Sequence, residues 1–463
     1  MAVSGDAKRL INVNGEKLGY CPTFDGTRAI IVLIVVLDHA KLINKYMTGA
    51  SIIVSWFFIA SGFLITSLLL DETKRNDDIN IRRFLTGRAY RLFPAMYAML
   101  AVMTVILTVV QVVSPDTLSS VPYWWLEILS ACFYVYFLCG MFLPGQVGVI
   151  GFTWSLAMQE QFYWLWPGVL RRTLRKRSRR SDRNLIIGMV AFIALFIAMR
   201  LGFSDVMTVN EHHGMDFSDQ GDVTIQGALF RLACMRPDSL VFGCLLAIIN
   251  KAIPRPIPEK LIQVTRYFAY AGWITLITFA FMGNRTPFFE LFAGVPFQIA
   301  ILMIGPIALD MYWRPKGWIN RGLSIRPLRY MGIRSYGVYI WHAIVLLPFL
   351  TAINESTGMK KLVLGVLAAG LGYAAGPISY KYLETRFLKI RERRMGPKPD
   401  RAEPPVVIAD QGPGEPAISI TSPGTVPTNG SNGSNGPPEP ELVANQSSID
   451  GPLGPSSTTQ DEG

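Results

Sequence analysis

The chain has 463 residues, of which 50% are hydrophobic and only 17% are charged. Soluble proteins carry about 25% charged residues, so the composition argues against an ordinary soluble domain. The net charge of +11 does not indicate a nucleic-acid partner, because the basic residues gather in clusters between apolar runs. That distribution is typical of the cytoplasmic loops of membrane proteins.

Eleven apolar runs follow one another along the chain. A helix needs about 20 residues to cross roughly 30 Å of hydrocarbon, and most of these runs approach that length. Together they predict an all-α fold, a polytopic membrane helix bundle in contact with membrane lipid. The runs lie at 27–42, 52–70, 92–113, 126–143, 147–170, 185–201, 229–249, 267–282, 289–311, 336–350 and 362–382.

Five basic clusters separate these runs and are expected to face the cytoplasm. Three runs lie between the first two clusters, although an even number of crossings must separate two loops on the same side. One of the two runs flanking Pro144 and Gly145 is therefore expected to be re-entrant or buried, leaving ten transmembrane helices. Both termini are predicted to be cytoplasmic, in the plasma (inner) membrane. The clusters are 74–91, 171–183, 251–260, 314–329 and 381–394.

The composition divides the chain into three segments. Residues 1–22 form a cytoplasmic amino-terminal segment without the apolar core of a cleavable signal peptide. Residues 23–390 form the membrane domain. Residues 391–463 are rich in Pro, Gly, Ser and Asn, and from 396 onwards they contain nine acidic and two basic residues, a net charge of −7. Such a segment buries little apolar surface, so we predict a disordered cytoplasmic tail.

The five cysteines show neither metal-ligand spacing nor the pattern of a disulfide framework. Four of them lie within apolar runs, where cysteine packs as a small apolar side chain. We therefore predict no metal site.

Polar residues inside apolar runs are functional candidates, because burying them in a membrane costs several kcal/mol. Arg28 and His39 are eleven positions apart, which is three helical turns plus about 20°, so they share one helix face about 16 Å apart. A histidine titrates near neutral pH and can take a proton from a hydroxyl group. The alternative is a histidine that only hydrogen bonds within the bundle.

A second polar group interrupts the aromatic run at 153–167. Gln159, Glu160 and Tyr163 are three or four positions apart and converge on one side of the predicted helix. This spacing favours a cavity lining. An aromatic belt at the membrane interface is the alternative, but it leaves Glu160 unexplained.

A third group lies in the run at 334–342. Ser335, Tyr339 and His342 fall at positions i, i+4 and i+7 on one helical stripe. Packing alone would account for the tyrosine. The combination of Ser, Tyr and His favours a polar site inside the bundle.

These groups, in this order, resemble the acyltransferase 3 family of membrane-bound acyltransferases. The resemblance extends from about residue 23 to 386. Six motifs carry it: the Arg28 and His39 pair, WFFIASGFLI at 56–65, RRFLTGRAYRLFP at 82–94, TWSL at 153–156, SYGVYIWH at 335–342 and YLETR at 382–386.

The resemblance implies an O-acyltransferase of about ten helices that uses cytoplasmic acyl-CoA as acyl donor. Its acceptor would be a hydroxyl group of a sugar, a lipid-linked glycan or another envelope molecule. His39 would be catalytic, as a general base or as a nucleophile, and Arg28 would lie in the donor site. Arg88 and Arg91 could hold the CoA phosphates, although the positive charge of cytoplasmic loops also explains such arginines.

Further residues are expected to bind or orient substrates: Tyr163, Ser335, Tyr336, Tyr339 and His342. One motif departs from the family pattern, because Gln159 stands where the family usually has Glu. A carboxylate follows one residue later, at Glu160, about 100° around the helix. Either Glu160 takes the catalytic role of that carboxylate, or the amide of Gln159 serves in its place.

Two other functions compete with this interpretation. A transporter or flippase of a lipid or small metabolite would also place polar groups inside a bundle, but the sequence lacks an obvious inverted repeat. A non-catalytic family relative would explain Gln159, but both Arg28 and His39 are present.

Overall fold

A computed structural model describes residues 10–12, 18–43, 50–119, 121–143, 148–202, 225–282 and 295–396. These residues form helices and no strands, which confirms the predicted all-α fold. The predicted disorder of the tail concerns residues that lie almost entirely outside the described part, beyond 396.

Sixteen α-helices are present in the described residues. The first eight are α1 Pro22–His39, α2 Ala50–Asn76, α3 Ile81–Val113, α4 Trp124–Cys132, α5 Tyr136–Phe142, α6 Trp154–Arg175, α7 Arg179–Gly202 and α8 Ile225–Cys234. The next eight are α9 Pro237–Ala252, α10 Glu259–Met282, α11 Val295–Ile304, α12 Pro306–Trp313, α13 Trp318–Leu323, α14 Arg326–Glu355, α15 Gly358–Ser379 and α16 Thr385–Met395. A π-helical turn, Tyr380–Glu384, joins α15 to α16.

Seven helical stretches in the described residues are long and apolar enough to cross a membrane. They are Ile52–Asn76, Ile81–Val113, Arg179–Gly202, Ile225–Ala252, Val295–Trp313, Arg326–Glu355 and Gly358–Met395. The helix α1 is not among them, because it carries Asp25, Arg28 and Asp38 within 18 residues. The count of ten transmembrane helices stays a prediction.

The run at 126–143 does not form one long helix. It is divided between α4, with nine residues, and α5, with seven, and both are much shorter than a membrane crossing requires. The following helix α6 is continuous over 22 residues. This division agrees with the expectation that one of the two runs flanking Pro144 fails to span, and it leaves α3 and α6 as the two long helices between the first two basic clusters.

The five basic clusters lie at one end of the bundle. Hydrogen bonds join sequence-distant residues that lie in these clusters or within three residues of them. These bonds join Arg171 to Asp78 at 2.6 Å, Lys251 to Asp71 at 2.5 Å, Arg394 to Tyr90 at 3.0 Å and Trp313 to Asn250 at 2.8 Å.

The helix α1 lies inside the bundle, packed mainly along α14 and also against α2, α13 and α15. Its start is favoured by Pro22 at the first helical turn, where the missing backbone N–H costs nothing. Close packing depends on Gly332 of α14, because a Cβ atom there would lie 1.8 Å from the carbonyl oxygen of Asp25. This contact brings α14 alongside the helix that carries Arg28 and His39.

Candidate active site

Two histidines from distant parts of the chain meet inside the bundle. His39 is the last residue of α1, and its Nδ1 lies 2.7 Å from Nε2 of His342 on α14. The two ring planes differ by 17° and the ring centres are 5.0 Å apart, so the imidazoles meet edge to edge across this hydrogen bond. His342 is fully buried, whereas His39 is partly exposed. Only His39 is therefore accessible to a substrate.

The other ring nitrogen of His342 also has a protein partner. Its Nδ1 lies 2.6 Å from the backbone carbonyl oxygen of Tyr339, one helical turn earlier. Phe152 packs edge-on against the His342 ring, with ring centres 5.2 Å apart. The Tyr339 hydroxyl donates to the Phe152 carbonyl at 2.6 Å and lies 2.7 Å from the Ser155 hydroxyl. The start of α6 thus holds the α14 side of the histidine pair in place.

Three arginines gather nearer the basic end of the bundle. Arg28 from α1 and Arg88 and Arg91 from α3 lie close enough for their charges to interact. All three are partly buried. Among the described residues, only Arg28 has a carboxylate within ion-pair distance, Asp25 at 3.5 Å. We call Arg28, Arg88 and Arg91 the arginine cluster.

The polar residues of α6 divide between two neighbours. The Arg88 guanidinium lies 4.1 Å above the ring centre of Tyr163, a favourable cation–π distance. Glu160, also buried, is near enough to Arg88 for an electrostatic interaction. Gln159 instead donates its amide N–H to the Ser61 hydroxyl at 2.8 Å. The buried carboxylate of this motif therefore faces the arginine cluster, and the amide faces α2.

The remaining predicted residues of α14 are placed less closely together. Tyr336 donates its hydroxyl to the carbonyl oxygen of Leu92 at 2.7 Å, which ties α14 to α3 next to Arg91. Ser335 is partly buried, and its hydroxyl forms no hydrogen bond with any other described residue. Of the predicted stripe of Ser335, Tyr339 and His342, only Tyr339 and His342 are therefore part of the histidine pair or in contact with it.

Glu384 is a buried acidic residue that the sequence reasoning did not select as a site residue. It ends the π-helical turn, accepts a hydrogen bond from Ser379 at 3.3 Å and interacts electrostatically with Arg91 and Arg334. Space for its carboxylate depends on Gly337, where a Cβ atom would lie 2.7 Å from Oε1. Its position in the motif at 382–386 was the one signal in the sequence, and the π-helical turn that buries it is seen only in the structure.

No cluster of three or more His, Cys, Asp or Glu side chains suited to a metal ion is found in the described ranges. The functional groups that the structure brings together in this region are an imidazole pair and a group of guanidinium ions. An imidazole can exchange a proton with a hydroxyl group, and guanidinium ions bind phosphate groups through paired hydrogen bonds.

Comparison with known proteins gives matches over most of the chain. Residues 22–379 match the family described as the acyltransferase domain. The chain is 27% identical over 386 residues to the peptidoglycan O-acetyltransferase OatA of Listeria monocytogenes, which covers 80% of this chain and 56% of that protein. It is also 27% identical over 397 residues to the O-acetyltransferase OatA of Staphylococcus aureus, covering 83% of this chain and 59% of that protein.

The chain spans a little more than half the length of these relatives. No solved structure matches it. The region matched by the family contains all eleven predicted site residues and ends at the π-helical turn. The predicted resemblance is confirmed, and this chain is a multi-pass membrane protein that belongs to the acyltransferase 3 family.

Proposed function

We propose that this chain transfers a short acyl group, such as acetyl, from cytoplasmic acyl-CoA to a hydroxyl group of an envelope carbohydrate or lipid-linked acceptor. The observation that supports this proposal most strongly is the arrangement along α1. Arg28 belongs to the arginine cluster, and His39 lies on the same helix face about 16 Å farther along the axis. One helix thus connects an anion-binding group with a base.

The arginine cluster suits the phosphate groups of acyl-CoA. Three guanidinium ions from two helices have only one carboxylate at ion-pair distance in the described part of the chain. Guanidinium groups recognise phosphate oxygens by two parallel hydrogen bonds, and partial burial strengthens each of them. The donor phosphates would bind here, and the extended pantetheine arm would carry the thioester along α1 towards His39.

His39 is proposed to act as general base in a single transfer step. Its imidazole takes the proton of the acceptor hydroxyl while the hydroxyl oxygen forms a bond to the thioester carbonyl carbon. The carbon–sulfur bond then breaks, and the proton held by His39 passes to the leaving thiolate, which gives free CoA and the O-acyl ester. Tyr336, Tyr339 and Ser335 remain candidates for orienting the two substrates.

Orientation in the membrane follows from the charge distribution. The five basic clusters share one end of the bundle, and such clusters remain on the cytoplasmic side during insertion. We infer ten crossings with both termini cytoplasmic, in the plasma membrane. The donor would then enter from the cytoplasm, and the names of the relatives favour a carbohydrate such as peptidoglycan as acceptor.

The proposal is tested by incubating the purified protein in lipid vesicles with labelled acetyl-CoA and envelope glycans. Wild-type protein should release free CoA and label the glycan. His39→Ala should abolish both activities without loss of folding, because it removes the imidazole that is proposed to take the hydroxyl proton. Leu33→Ala, on an exposed side of the same helix, is the matched control and should retain activity.

Three results would contradict the proposal. Full activity of His39→Ala would exclude His39 as the base. Movement of label across the vesicle membrane without release of CoA would favour a transporter. Accumulation of label on the protein when acceptor is omitted would show that His39 acts as a nucleophile, with an acyl-histidine intermediate, instead of as a base.

A further inference from the structure

The hydrogen bonds of the histidine pair determine which ring nitrogens hold a proton, and this goes beyond the proposed role of His39. Each of its two polar contacts is a defined pair of atoms: His39 Nδ1 with His342 Nε2, and His342 Nδ1 with the Tyr339 carbonyl oxygen. A neutral imidazole has one N–H donor and one acceptor nitrogen. The group at the end of this series of hydrogen bonds therefore determines the tautomers of both imidazole rings.

The group at that end is the Tyr339 carbonyl oxygen, which can only accept a hydrogen bond. His342 must therefore carry its proton on Nδ1, since two acceptors 2.6 Å apart would repel each other. A doubly protonated His342 would place a full charge at a site that is 0% exposed and has no carboxylate partner in the described residues, at a large cost in free energy. In the neutral ring, Nε2 is consequently an acceptor.

We infer that His342 and the Tyr339 carbonyl are positioning groups that fix the tautomer of His39. Because His342 Nε2 accepts, His39 must donate from Nδ1, and its proton-free nitrogen is Nε2. That nitrogen is the base required by the proposed function, on which this inference rests. The hydrogen bond also holds the His39 ring in one orientation and stabilises the positive charge that forms when Nε2 takes a proton.

This role differs from substrate binding, which the sequence suggested for His342. Both of its ring nitrogens already have protein partners, and its side chain is enclosed by Phe152, Tyr339 and His39. A substrate could reach His342 only by replacing one of these contacts. We therefore place His342 behind the base, where it acts on the reaction through His39.

Three substitutions of His342 separate a positioning role from a packing role. Gln places an amide oxygen near the former Nε2 and can still accept from His39. Asn can still donate to the Tyr339 carbonyl but does not reach His39, and Phe keeps the ring volume without any acceptor. We expect kcat to fall about 10- to 100-fold in His342→Asn and His342→Phe, the range found when the partners that orient metal-bound histidines are removed. His342→Gln should retain most of the activity.

The KM values for donor and acceptor should change little in all three variants, because His342 does not contact either substrate. If His342→Phe fails to fold, the Gln and Asn variants alone still decide the question, since both are amides of similar size. Equal activity of the Asn and Gln variants, or a loss confined to KM, would overturn the inference.

Measuring His39→Ala in the same assay distinguishes the two proposals. If His39→Ala remains active, the proposed function is wrong. If His39→Ala is inactive and the three His342 variants all match wild type, the positioning role alone is wrong.

Discussion

Arg200 and the arginine cluster differ in how their buried positive charges are balanced. Arg200 of α7 is 0% exposed and binds both carboxylate oxygens of Asp238 at 2.6 and 3.0 Å. It also donates to Gln298 and to the Ala233 carbonyl. Every donor direction is used, and the group ties α7, α8, α9 and α11 together.

The arginine cluster has the opposite arrangement. The side chains of Arg88 and Arg91 form no ion pair and no hydrogen bond with any other described residue, and the Arg28 side chain has only its contact with Asp25. Glu160 and Glu384 act on Arg88 and Arg91 through their charges but form no ion pair with them, so the guanidinium groups of these two arginines keep donors for an added anion. A buried charge that the protein does not pair is a candidate ligand site, whereas a fully paired one is a structural tie.

The largest effect is expected for the structural tie. Asp238→Ala should lower the free energy of unfolding by about 3–5 kcal/mol, because it leaves Arg200 buried without a counter-ion. Unfolding by denaturant in detergent measures this loss, with Asp116→Ala at an exposed position as control. In the protein that remains folded, the KM for the acyl donor should be unchanged. A stable Asp238→Ala variant with an altered donor KM would mean that Arg200 and Asp238 belong to the donor site instead.

The arginine cluster should show the reverse pattern. Arg91→Gln should raise the KM for acyl-CoA about 10- to 100-fold, because a hydrogen bond to a charged group contributes about 1.5–3 kcal/mol. The free energy of unfolding should not fall, since one of three like charges is removed. Arg180→Gln, at an exposed position in α7, is the matched control and should leave KM unchanged. A destabilised Arg91→Gln with normal KM would identify a structural arginine.

A smaller effect, on the KM for the acyl donor, is expected for Glu384. Its carboxylate interacts with Arg91 and would oppose a bound phosphate. Glu384→Gln should therefore lower the donor KM several-fold, corresponding to about 1 kcal/mol at the effective dielectric of partly buried charges. Steady-state kinetics at fixed acceptor concentration measures this change. An increase in KM would mean that Glu384 orients Arg91 instead of competing with the donor.

The smallest effect concerns Asp78, in the loop between α2 and α3. Hydrogen bonds from Arg171 and then Arg175 hold the pKa of this carboxyl well below its usual range. A lowered folded-state pKa stabilises the protein above the ordinary aspartate pKa of about 4, and this contribution is lost as the pH falls further. Asp78→Asn should therefore lower the unfolding temperature slightly near neutral pH, and the difference from wild type should shrink in acid. A difference independent of pH would contradict this explanation.

The sequence predicted those features of the site that depend on one helix. The spacing of Arg28 and His39 follows from helical geometry alone, and the 100° between Gln159 and Glu160 explains why the two side chains reach different neighbours. Contacts between helices could not be derived in this way. His39 and His342 are 303 residues apart, and no periodicity indicates which residue of α1 meets which residue of α14.

Two further features depended on context that a single run does not contain. The run at 126–143 has the length of a short crossing, and only the structure reveals that it is divided between the short helices α4 and α5. Glu384 lies in an ordinary-looking basic segment, and its burial arises from the π-helical turn and from the space at Gly337. In both cases, tertiary packing decides the outcome.

In the proposed function, the arginine cluster binds the donor while His39 performs the chemistry. Equilibrium binding of acetyl-CoA to His39→Ala and to Arg91→Gln, measured by calorimetry in detergent, tests it most directly. His39→Ala should bind acetyl-CoA with the wild-type Kd and release no CoA, whereas Arg91→Gln should bind about 10- to 100-fold more weakly. Loss of binding in His39→Ala, with normal binding in Arg91→Gln, would contradict the assignment of the two groups.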